Sequence, residues 1–202
     1  MKITITTQVS VDGVMQGPGV NPVEGEDGVF ARRGWAHFDN EAGTVMDEIF
    51  QRADAFLFGR RTYEHFVGTW GTWPDPGDSP IWTALHAQPK YVASTTLSEA
   101  RWANTTVLSG NLAAAVGELK AKPGRELQVQ GSGVLLRWLL DNQLVDEITL
   151  FTFPVIVGRG TRLFPDRGRD RALELVESRA TSSGVTIQVY RLADANERSV
   201  EE

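Results

Sequence analysis

Two short segments of the chain combine glycine with groups that could bind a phosphorylated ligand. The first, Gly131-Ser132-Gly133, follows a predicted strand and directly precedes a predicted helix. Because a helix N-terminus carries free backbone N–H groups and a partial positive charge, a pyrophosphate would be stabilised there. Glycine allows close approach of a ligand, and the Ser132 hydroxyl adds a donor. The alternative interpretation is a tight turn that needs glycine only for its dihedral angles.

The second segment, Gly59-Arg60-Arg61-Thr62, follows the predicted strand that ends at Phe58. It places two guanidinium groups and a hydroxyl at the carboxyl end of that strand. Arginine is the side chain best suited to bidentate binding of a phosphate, so the pair predicts recognition of the 2′-phosphate that distinguishes NADPH from NADH. An exposed basic pair without a ligand is the alternative.

Hydroxyl groups follow a third predicted strand, at Ser94-Thr95-Thr96. They are suited to bind the same adenosine phosphate, although such residues also form ordinary turns. Ligands of open α/β sheets bind at the carboxyl ends of the strands, so the three segments are expected to meet at one edge of the sheet. The pattern lacks the G-x-G-x-x-G fingerprint, which argues against a standard Rossmann site.

The elements that position these segments alternate between strands and helices. Predicted strands cover residues 2–9, 54–58, 91–94, 105–108, 126–130 and 145–153, and predicted helices follow Asp39 and cover residues 61–66, 80–87, 112–121 and 134–140. Residues 172–178 and 184–192 form a final pair of predicted strands. The sequence therefore predicts an α/β fold: a mostly parallel central sheet, helices on both faces and a C-terminal antiparallel hairpin. One domain is expected over residues 1–193, with a polar tail over residues 194–202.

The composition excludes several classes of function. The 202 residues carry a formal net charge of -6 that is scattered along the chain, so neither nucleic acid nor a membrane is an expected partner. The chain has no cysteine, and His37, His65 and His86 lack the spacing of metal ligands, so no metal is expected. The N-terminus alternates polar and apolar residues, unlike a signal peptide, and no stretch is long enough to span a bilayer. A cytoplasmic location is expected.

Together, the motifs resemble the dihydrofolate-reductase-like reductases, a family that includes the C-terminal reductase domain of the bifunctional deaminase-reductase of riboflavin biosynthesis. The resemblance extends over nearly the whole chain. It rests on the order and spacing of the segments at residues 10–15, 57–64, 129–133, 145–148 and 153–164.

The resemblance implies a reductase that takes a hydride from the nicotinamide of NADPH and acts on a small-molecule substrate. By similarity, Arg60, Arg61 and Thr62 with Ser94 would hold the adenosine-phosphate end, and Gly131, Ser132 and Gly133 the pyrophosphate; Gly59 and Thr95 complete the predicted cofactor-binding set. The loop after Asp12, with glycines at positions 13, 17 and 19, would border the nicotinamide as a lid that excludes water. The family also implies a homodimer.

Hydride transfer needs a matching proton, and Asp12, Asp39 and Glu41 are the candidate donors. Asp12 resembles the family's Ser-x-Asp-Gly position, although an aspartate before glycine also fixes a turn. Asp39 and Glu41 lie in the first turn of the helix that carries the acid in true dihydrofolate reductases. Carboxylates at that place also serve as helix caps or dipole partners.

The substrate is indicated by two departures from known relatives. Residues 34–39 stand where true dihydrofolate reductases have a Pro-Trp motif and an acid, which argues against folate as the substrate. The cysteine-free chain also lacks the deaminase signatures of the bifunctional riboflavin enzyme. The leading hypothesis is the reduction of a small heterocyclic or ribosylamino-pyrimidine-like substrate, as by a 5-amino-6-(5-phosphoribosylamino)uracil reductase. The alternatives are a non-catalytic NADPH-binding or ligand-sensing protein on the same fold, and a pterin reductase of the dihydrofolate reductase type.

Tryptophans at positions 35, 70, 73 and 82 fall in or beside predicted loops. They are suited to line a pocket for a planar substrate. The alternative is that they hold the loops against the core or form a subunit contact.

Overall fold

The computed structural model describes residues 1–19, 34–165 and 170–193, which form eight strands and five helices. In chain order the strands are β1 (Lys2–Ser10), β2 (Ala53–Gly59), β3 (Lys90–Ala93), β4 (Thr105–Leu108), β5 (Glu126–Gln130), β6 (Glu147–Phe153), β7 (Leu173–Ala180) and β8 (Thr186–Leu192). The helices are α1 (Asn40–Gln51), α2 (Arg60–Gly68), α3 (Pro80–Ala87), α4 (Leu112–Ala121) and α5 (Gly133–Asp141). The predicted tail, residues 194–202, and most of the glycine-rich loop after β1 lie outside the described residues.

The strands form one sheet in the order β4-β3-β2-β5-β1-β6-β8-β7. The pairs from β4 to β6 are all parallel. Strand β8 runs antiparallel to β6, and β7 runs antiparallel to β8. The predicted α/β class, with its mostly parallel sheet and its C-terminal antiparallel hairpin, is confirmed.

The helices cover both faces of the sheet because the chain crosses it in both directions. The connections from β1 to β2 and from β2 to β3 run toward the β4 edge, whereas those from β4 to β5 and from β5 to β6 run back. Parallel crossovers are right-handed, so a reversal of direction places the helix on the opposite face. Apolar residues of α1 and α3 accordingly share one core, and those of α4 and α5 share the other.

The face of β5 that lies beneath α1 is polar and buried. The Gln128 amide donates to the backbone carbonyl of Ile49 at 2.5 Å and to the Glu126 carboxylate at 2.7 Å. The Gln130 amide donates to the side-chain oxygen of Gln128 at 3.2 Å. Arg52 forms an ion pair with Glu126 at 2.8 Å, so the buried carboxylate is both paired and hydrogen-bonded. We refer to Glu126, Gln128 and Gln130 as the polar ladder of β5.

Two of the four loop tryptophans contact the core. Trp35 and Trp70 are partly buried and pack against the core beneath α1 and α3, whereas the Trp73 side chain is 54% exposed. Trp82 stacks on His86 with ring centroids 3.9 Å apart. Trp35 and Trp70 therefore hold their loops to the core. Within the described ranges, no helix is long and apolar enough to cross a membrane.

Candidate active site

The three strands that carry the predicted cofactor-binding segments are neighbours in the sheet. Strand β2 pairs in parallel with β3 on one side and with β5 on the other. In the β2–β3 pair, Gly59 lies opposite Ala93, the residue before Ser94. The carboxyl ends of the three strands therefore meet at one edge of the sheet, and we call the region where they meet the strand-end cleft.

A hydrogen bond joins two of these strand ends directly. The backbone N–H of Gly59 donates to the Ser132 hydroxyl oxygen at 3.0 Å. Gly131 and Ser132 both have left-handed backbone conformations, with φ of 56° and 54°. Glycine adopts this region without strain, whereas serine does so at some cost. The Gly131 N–H also donates to the carbonyl of Thr6 on β1 at 2.9 Å, which anchors the turn to the sheet.

Two helices begin at this edge, α2 at Arg60 and α5 at Gly133. The residues that precede them, Gly59 and Ser132, make no side-chain hydrogen bond that caps the helix start within the described structure. The first backbone N–H groups of both helices are therefore available to an anion, and the two helix dipoles add partial positive charge on the same side. Because the Gly59–Ser132 bond holds the two starts together, the cleft is suited to a ligand with more than one phosphate.

The two arginines of the second segment have different surroundings. The Arg60 guanidinium donates from Nε to Glu64 at 2.8 Å and from Nη1 to the Thr96 hydroxyl at 2.6 Å. It lines a cavity of about 420 Å³ between α2 and the connection from β3 to β4. Arg61 is exposed, and no side-chain hydrogen bond to it is formed by the described residues. Arg60 is thus oriented in advance, and Arg61 projects from the start of α2.

The hydroxyl residues contribute in different ways. The Ser94 hydroxyl oxygen accepts hydrogen bonds from the backbone N–H groups of Thr96 and Leu97, at 3.2 Å and 2.9 Å, so it shapes the turn after β3. Thr95 is exposed on the same turn. The Thr62 methyl lies 3.9 Å from the position that a Cβ on Gly131 would take, which places Thr62 beside the glycine turn.

Met15 packs against the start of α5. A Cβ added to Gly133 would overlap the Met15 sulfur, so a side chain at this position would displace the flexible end of Met15. The backbone N–H of Met15 donates to the Thr161 carbonyl at 2.9 Å, and Val14 and Arg162 form an isolated antiparallel bridge. The segment after β1 is therefore fixed between the start of α5 and the loop after β6.

Asp12 ties the exit of β1 to the loop that follows β6. Its carboxylate accepts hydrogen bonds from the Ser10 hydroxyl at 2.7 Å and from the backbone N–H groups of Val157 and Gly158 at 3.0 Å and 2.9 Å. Led by the Ser10 hydrogen bond, these contacts lower the pKa of Asp12 to about 2. The Arg162 guanidinium also donates to the Asp12 carbonyl. Asp12 is consequently ionised near neutrality.

Asp39 and Glu41 hold the turn between β7 and β8 against the start of α1. The Asp39 carboxylate caps α1 by accepting from the Ala42 N–H at 2.7 Å and accepts from the Ser183 hydroxyl at 2.5 Å. These bonds hold the pKa of Asp39 well below its usual range, the Ala42 bond most strongly. Glu41 accepts from the Ser182 N–H at 3.3 Å. Both candidate acids therefore make structural contacts near the β7–β8 turn, away from the strand-end cleft.

Glu64 and Met15 of the strand-end cleft were not among the predicted site residues. Glu64 binds Arg60, as does Thr96 of the predicted hydroxyl segment, and Met15 contacts Gly133. The sequence contains a partial signal for Glu64, because a carboxylate four residues after an arginine on a helix is placed to pair with it. No local signal links Met15 to Gly133, since the contact forms only when the chain folds.

Comparison with known proteins assigns the chain to a group of relatives. It matches the family described as the RibD C-terminal domain over residues 1–187. It is 28% identical over 195 residues to the uncharacterized protein YyaP of Bacillus subtilis (strain 168), covering 94% of each chain. A second protein of that organism, the uncharacterized protein YwjB, is 22% identical over 154 residues, which cover 76% of this chain and 83% of the relative.

Solved structures with similar folds cover almost the whole chain. A putative riboflavin biosynthesis protein from Shewanella sp. PV-4 superposes with a TM-score of 0.68 at 22% identity, covering 96% of this chain and 99% of the other. A pyrimidine reductase-like protein from Corynebacterium diphtheriae gives 0.63 at 14% identity, with 95% and 92% covered. Dihydrofolate reductase from Enterococcus faecalis, complexed with NADP(H) and RAB-propyl, gives 0.61 at 14% identity, with 96% and 97% covered. The fold is therefore dihydrofolate-reductase-like.

Proposed function

Since the chain belongs to the family of the RibD C-terminal domain, we propose that it is an NADPH-dependent reductase that transfers a hydride to a small heterocyclic or ribosylamino-pyrimidine-like substrate. Family and fold support a reductase-type function. The observation that carries the finer proposal is the pair of uncapped helix starts joined by the Gly59–Ser132 hydrogen bond.

The residues of the strand-end cleft fit a phosphorylated dinucleotide. In this assignment the first N–H groups of α5, with the Ser132 hydroxyl as donor, bind the pyrophosphate. Arg60 and Arg61 bind the 2′-phosphate, because a guanidinium matches the geometry of a phosphate. Bound NADPH would supply the hydride from its reduced nicotinamide ring. The segment that contains Met15 would exclude water from the cleft.

The proton that accompanies the hydride has to come from a protonated group or from a water held near the acceptor. Asp12 and Asp39 are ionised near neutrality, so as they stand in this structure they accept hydrogen bonds rather than donate protons. Together with Glu41 they stay candidates, and in this proposal Asp12 acts by fixing the segment after β1.

A second candidate function is a dinucleotide-binding or ligand-sensing protein without turnover. The observation that favours it is the engagement of all three candidate acids in structural hydrogen bonds. Such a protein would bind NADPH through the same cleft and would leave it unoxidised in the presence of any acceptor.

The experiment that separates the two functions uses the purified full chain. NADPH and NADH binding is measured by calorimetry, and NADPH oxidation is then followed by absorbance with a panel of ribosylamino-pyrimidines, pterins and small carbonyl compounds. Oxidation with a ribosylamino-pyrimidine supports the proposal, and oxidation with pterins alone indicates a pterin reductase. Binding without oxidation across the panel indicates the second function. Absence of any dinucleotide binding would overturn both.

We also propose that two copies associate through β7, one of the two edge strands of the sheet. All eight of its residues are exposed, including Leu175 at 52% and Val176 at 42%. Two copies paired antiparallel about the strand centre would bring Glu174 of each strand near Arg179 of the other, so the charges are complementary. A monomer in sedimentation at micromolar concentration would overturn this proposal, as would a dimer that Leu175→Lys leaves intact.

A cytoplasmic location stays a prediction.

A further inference from the structure

The Arg60 side chain is bound at both ends of its guanidinium group. Its Nε donates to the Glu64 carboxylate at 2.8 Å, an ion pair one turn apart on α2, and its Nη1 donates to Thr96 across the cavity at 2.6 Å. Both members of the ion pair have side chains that are 46% exposed. The guanidinium is thus held in one orientation, and a carboxylate already occupies one of its donor positions.

The wall around Arg60 carries both signs of charge. Glu64 and Glu99 line the cavity together with Arg60 and Arg101, so the two arginines face two carboxylates. The Tyr63 hydroxyl oxygen accepts from the backbone N–H of Arg101 at 2.9 Å, which fixes that part of the wall against α2. A phosphate that reaches Arg60 therefore enters a region with little net positive charge.

We infer that Glu64 sets the preference between NADPH and NADH by opposing the contact of Arg60 with the 2′-phosphate. This inference rests on the proposed dinucleotide site. A phosphate bound to the free donors of Arg60 would lie within a few ångströms of the Glu64 carboxylate, and the two negative charges repel each other. NADH carries no 2′-phosphate and is not affected. Glu64 thereby reduces the advantage that the arginine pair gives to NADPH.

The test is Glu64→Gln, which removes the charge while its amide oxygen can still accept from Arg60 Nε. The orientation of Arg60 is therefore kept. We expect NADPH to bind about fivefold more tightly. This is the factor expected from removing the repulsion between two unit charges about 4–5 Å apart in a water-like dielectric. NADH affinity should change less than about twofold. Both dissociation constants are measured by calorimetry on the full chain at low ionic strength.

Two controls separate this effect from a general change in charge. Glu99→Gln removes a carboxylate from the same cavity that has no ion pair with Arg60, and it should raise NADPH affinity less than Glu64→Gln does. In an Arg60→Ala background, Glu64→Gln should lose most of its gain, because without Arg60 the 2′-phosphate is no longer held within a few ångströms of residue 64. High salt should reduce the gain in the single variant.

The outcomes distinguish this inference from the proposed function. Equal tightening of NADPH and NADH would overturn the inference, as would weaker NADPH binding or a gain that persists without Arg60. If wild type and all variants bind neither dinucleotide, both the site and the inference fail. If the gain for NADPH is seen but no acceptor is reduced, the inference holds and only the proposed reductase activity fails.

Discussion

The hydroxyl oxygen of Ser132 accepts a hydrogen bond from the backbone N–H of Gly59, 73 residues away in sequence, at 3.0 Å. The bond connects the end of β5 to the end of β2, and so connects the start of α5 to the start of α2. Ser132 is 8% exposed, and its φ of 54° lies in the region where a side chain is strained. The presence of serine in this conformation indicates that the hydrogen bond of its hydroxyl group offsets the backbone strain.

Replacement of Ser132 should weaken both the fold and cofactor binding. Ser132→Ala leaves the Gly59 N–H without its partner while the backbone stays left-handed, so we expect a loss of about 1–2 kcal/mol in the free energy of unfolding. NADPH affinity should fall as well, because the two helix starts are no longer held together. Urea denaturation and calorimetry measure the two effects.

The matched control is Ser132→Gly, which removes the same hydroxyl but relieves the strained backbone. It should be more stable than Ser132→Ala by about 1 kcal/mol. Equal stability of the two variants, or unchanged NADPH affinity in both, would contradict the role assigned to the Ser132 hydroxyl.

The two arginines at the start of α2 should distinguish the cofactors. Arg60→Ala and Arg61→Ala are each expected to weaken NADPH binding about tenfold, which corresponds to the lower end of a charge-assisted contact at an exposed position. NADH binding should be little affected, since it lacks the 2′-phosphate. Arg101→Ala, on the opposite wall of the same cavity, is the control and should change NADPH affinity less. Parallel losses for both cofactors would remove the assigned 2′-phosphate role.

Asp12 should make stability depend on pH in the acid range. Its folded pKa of about 2 lies below the ordinary value of 3.8, so the stability that it contributes is present above about pH 4 and is lost as the pH falls toward about 2. Urea midpoints of wild type and Asp12→Asn should therefore converge over this interval. A constant difference would show that the carboxylate is not selectively stabilised in the folded state. The two proteins should also share the same pH profile of NADPH oxidation near neutrality.

Lys90 should make stability depend on pH in the alkaline range. Its side chain is fully buried, it donates to the carbonyls of Leu85 and Gln88 at 2.6 Å and 3.0 Å, and burial lowers its pKa from 10.5 to about 8. Between these two values the unfolded chain holds a proton that the folded chain has released, so the free energy of unfolding rises with pH. The rise should reach at most about 3 kcal/mol.

Denaturation at a series of alkaline pH values checks this dependence. Lys90→Met should abolish the rise, and Lys2→Met, which alters an exposed lysine, should preserve it. A wild-type stability that is flat between about pH 8 and pH 10.5 would mean that Lys90 keeps its proton in the folded protein.

Periodicity and glycine placement were sufficient to predict the elements and the three strand ends. The alternation of Ile3 and Ile5 with polar residues, and the glycines at the ends of β2 and β5, are local patterns that indicate the elements found in the structure. The cap by Asp39 was also among the interpretations that the sequence left open. Because the carboxyl ends of parallel strands share an edge, the meeting of the three segments followed from the fold class.

The contacts that define the site were not predictable in the same way. The bonds of Asp12 to Val157 and of Asp39 to Ser183 join residues more than 140 positions apart. Whether an acidic side chain donates a proton as a carboxyl group or fixes a loop as a carboxylate depends on such partners, and a single sequence does not specify them. Polar and apolar residues alternate in β5, and this pattern does not show which face is buried. The polar residues of β5 face α1 rather than solvent.

The polar ladder of β5 has a fixed direction. A carboxylate at Glu126 can only accept, so Gln128 must turn its NH₂ group toward it, and Gln128 is then left with its oxygen facing Gln130. Gln130 must in turn present its NH₂ group to that oxygen, which leaves its own oxygen as the terminal group of the ladder. The Glu126 carboxylate and the Ile49 carbonyl, which also accepts from Gln128, thus determine the rotational state of two amides in sequence. Because the Ile49 carbonyl holds Gln128 in the same orientation, neutralising Glu126 alone would leave both amides as they are, and the terminal group of the ladder would stay an acceptor.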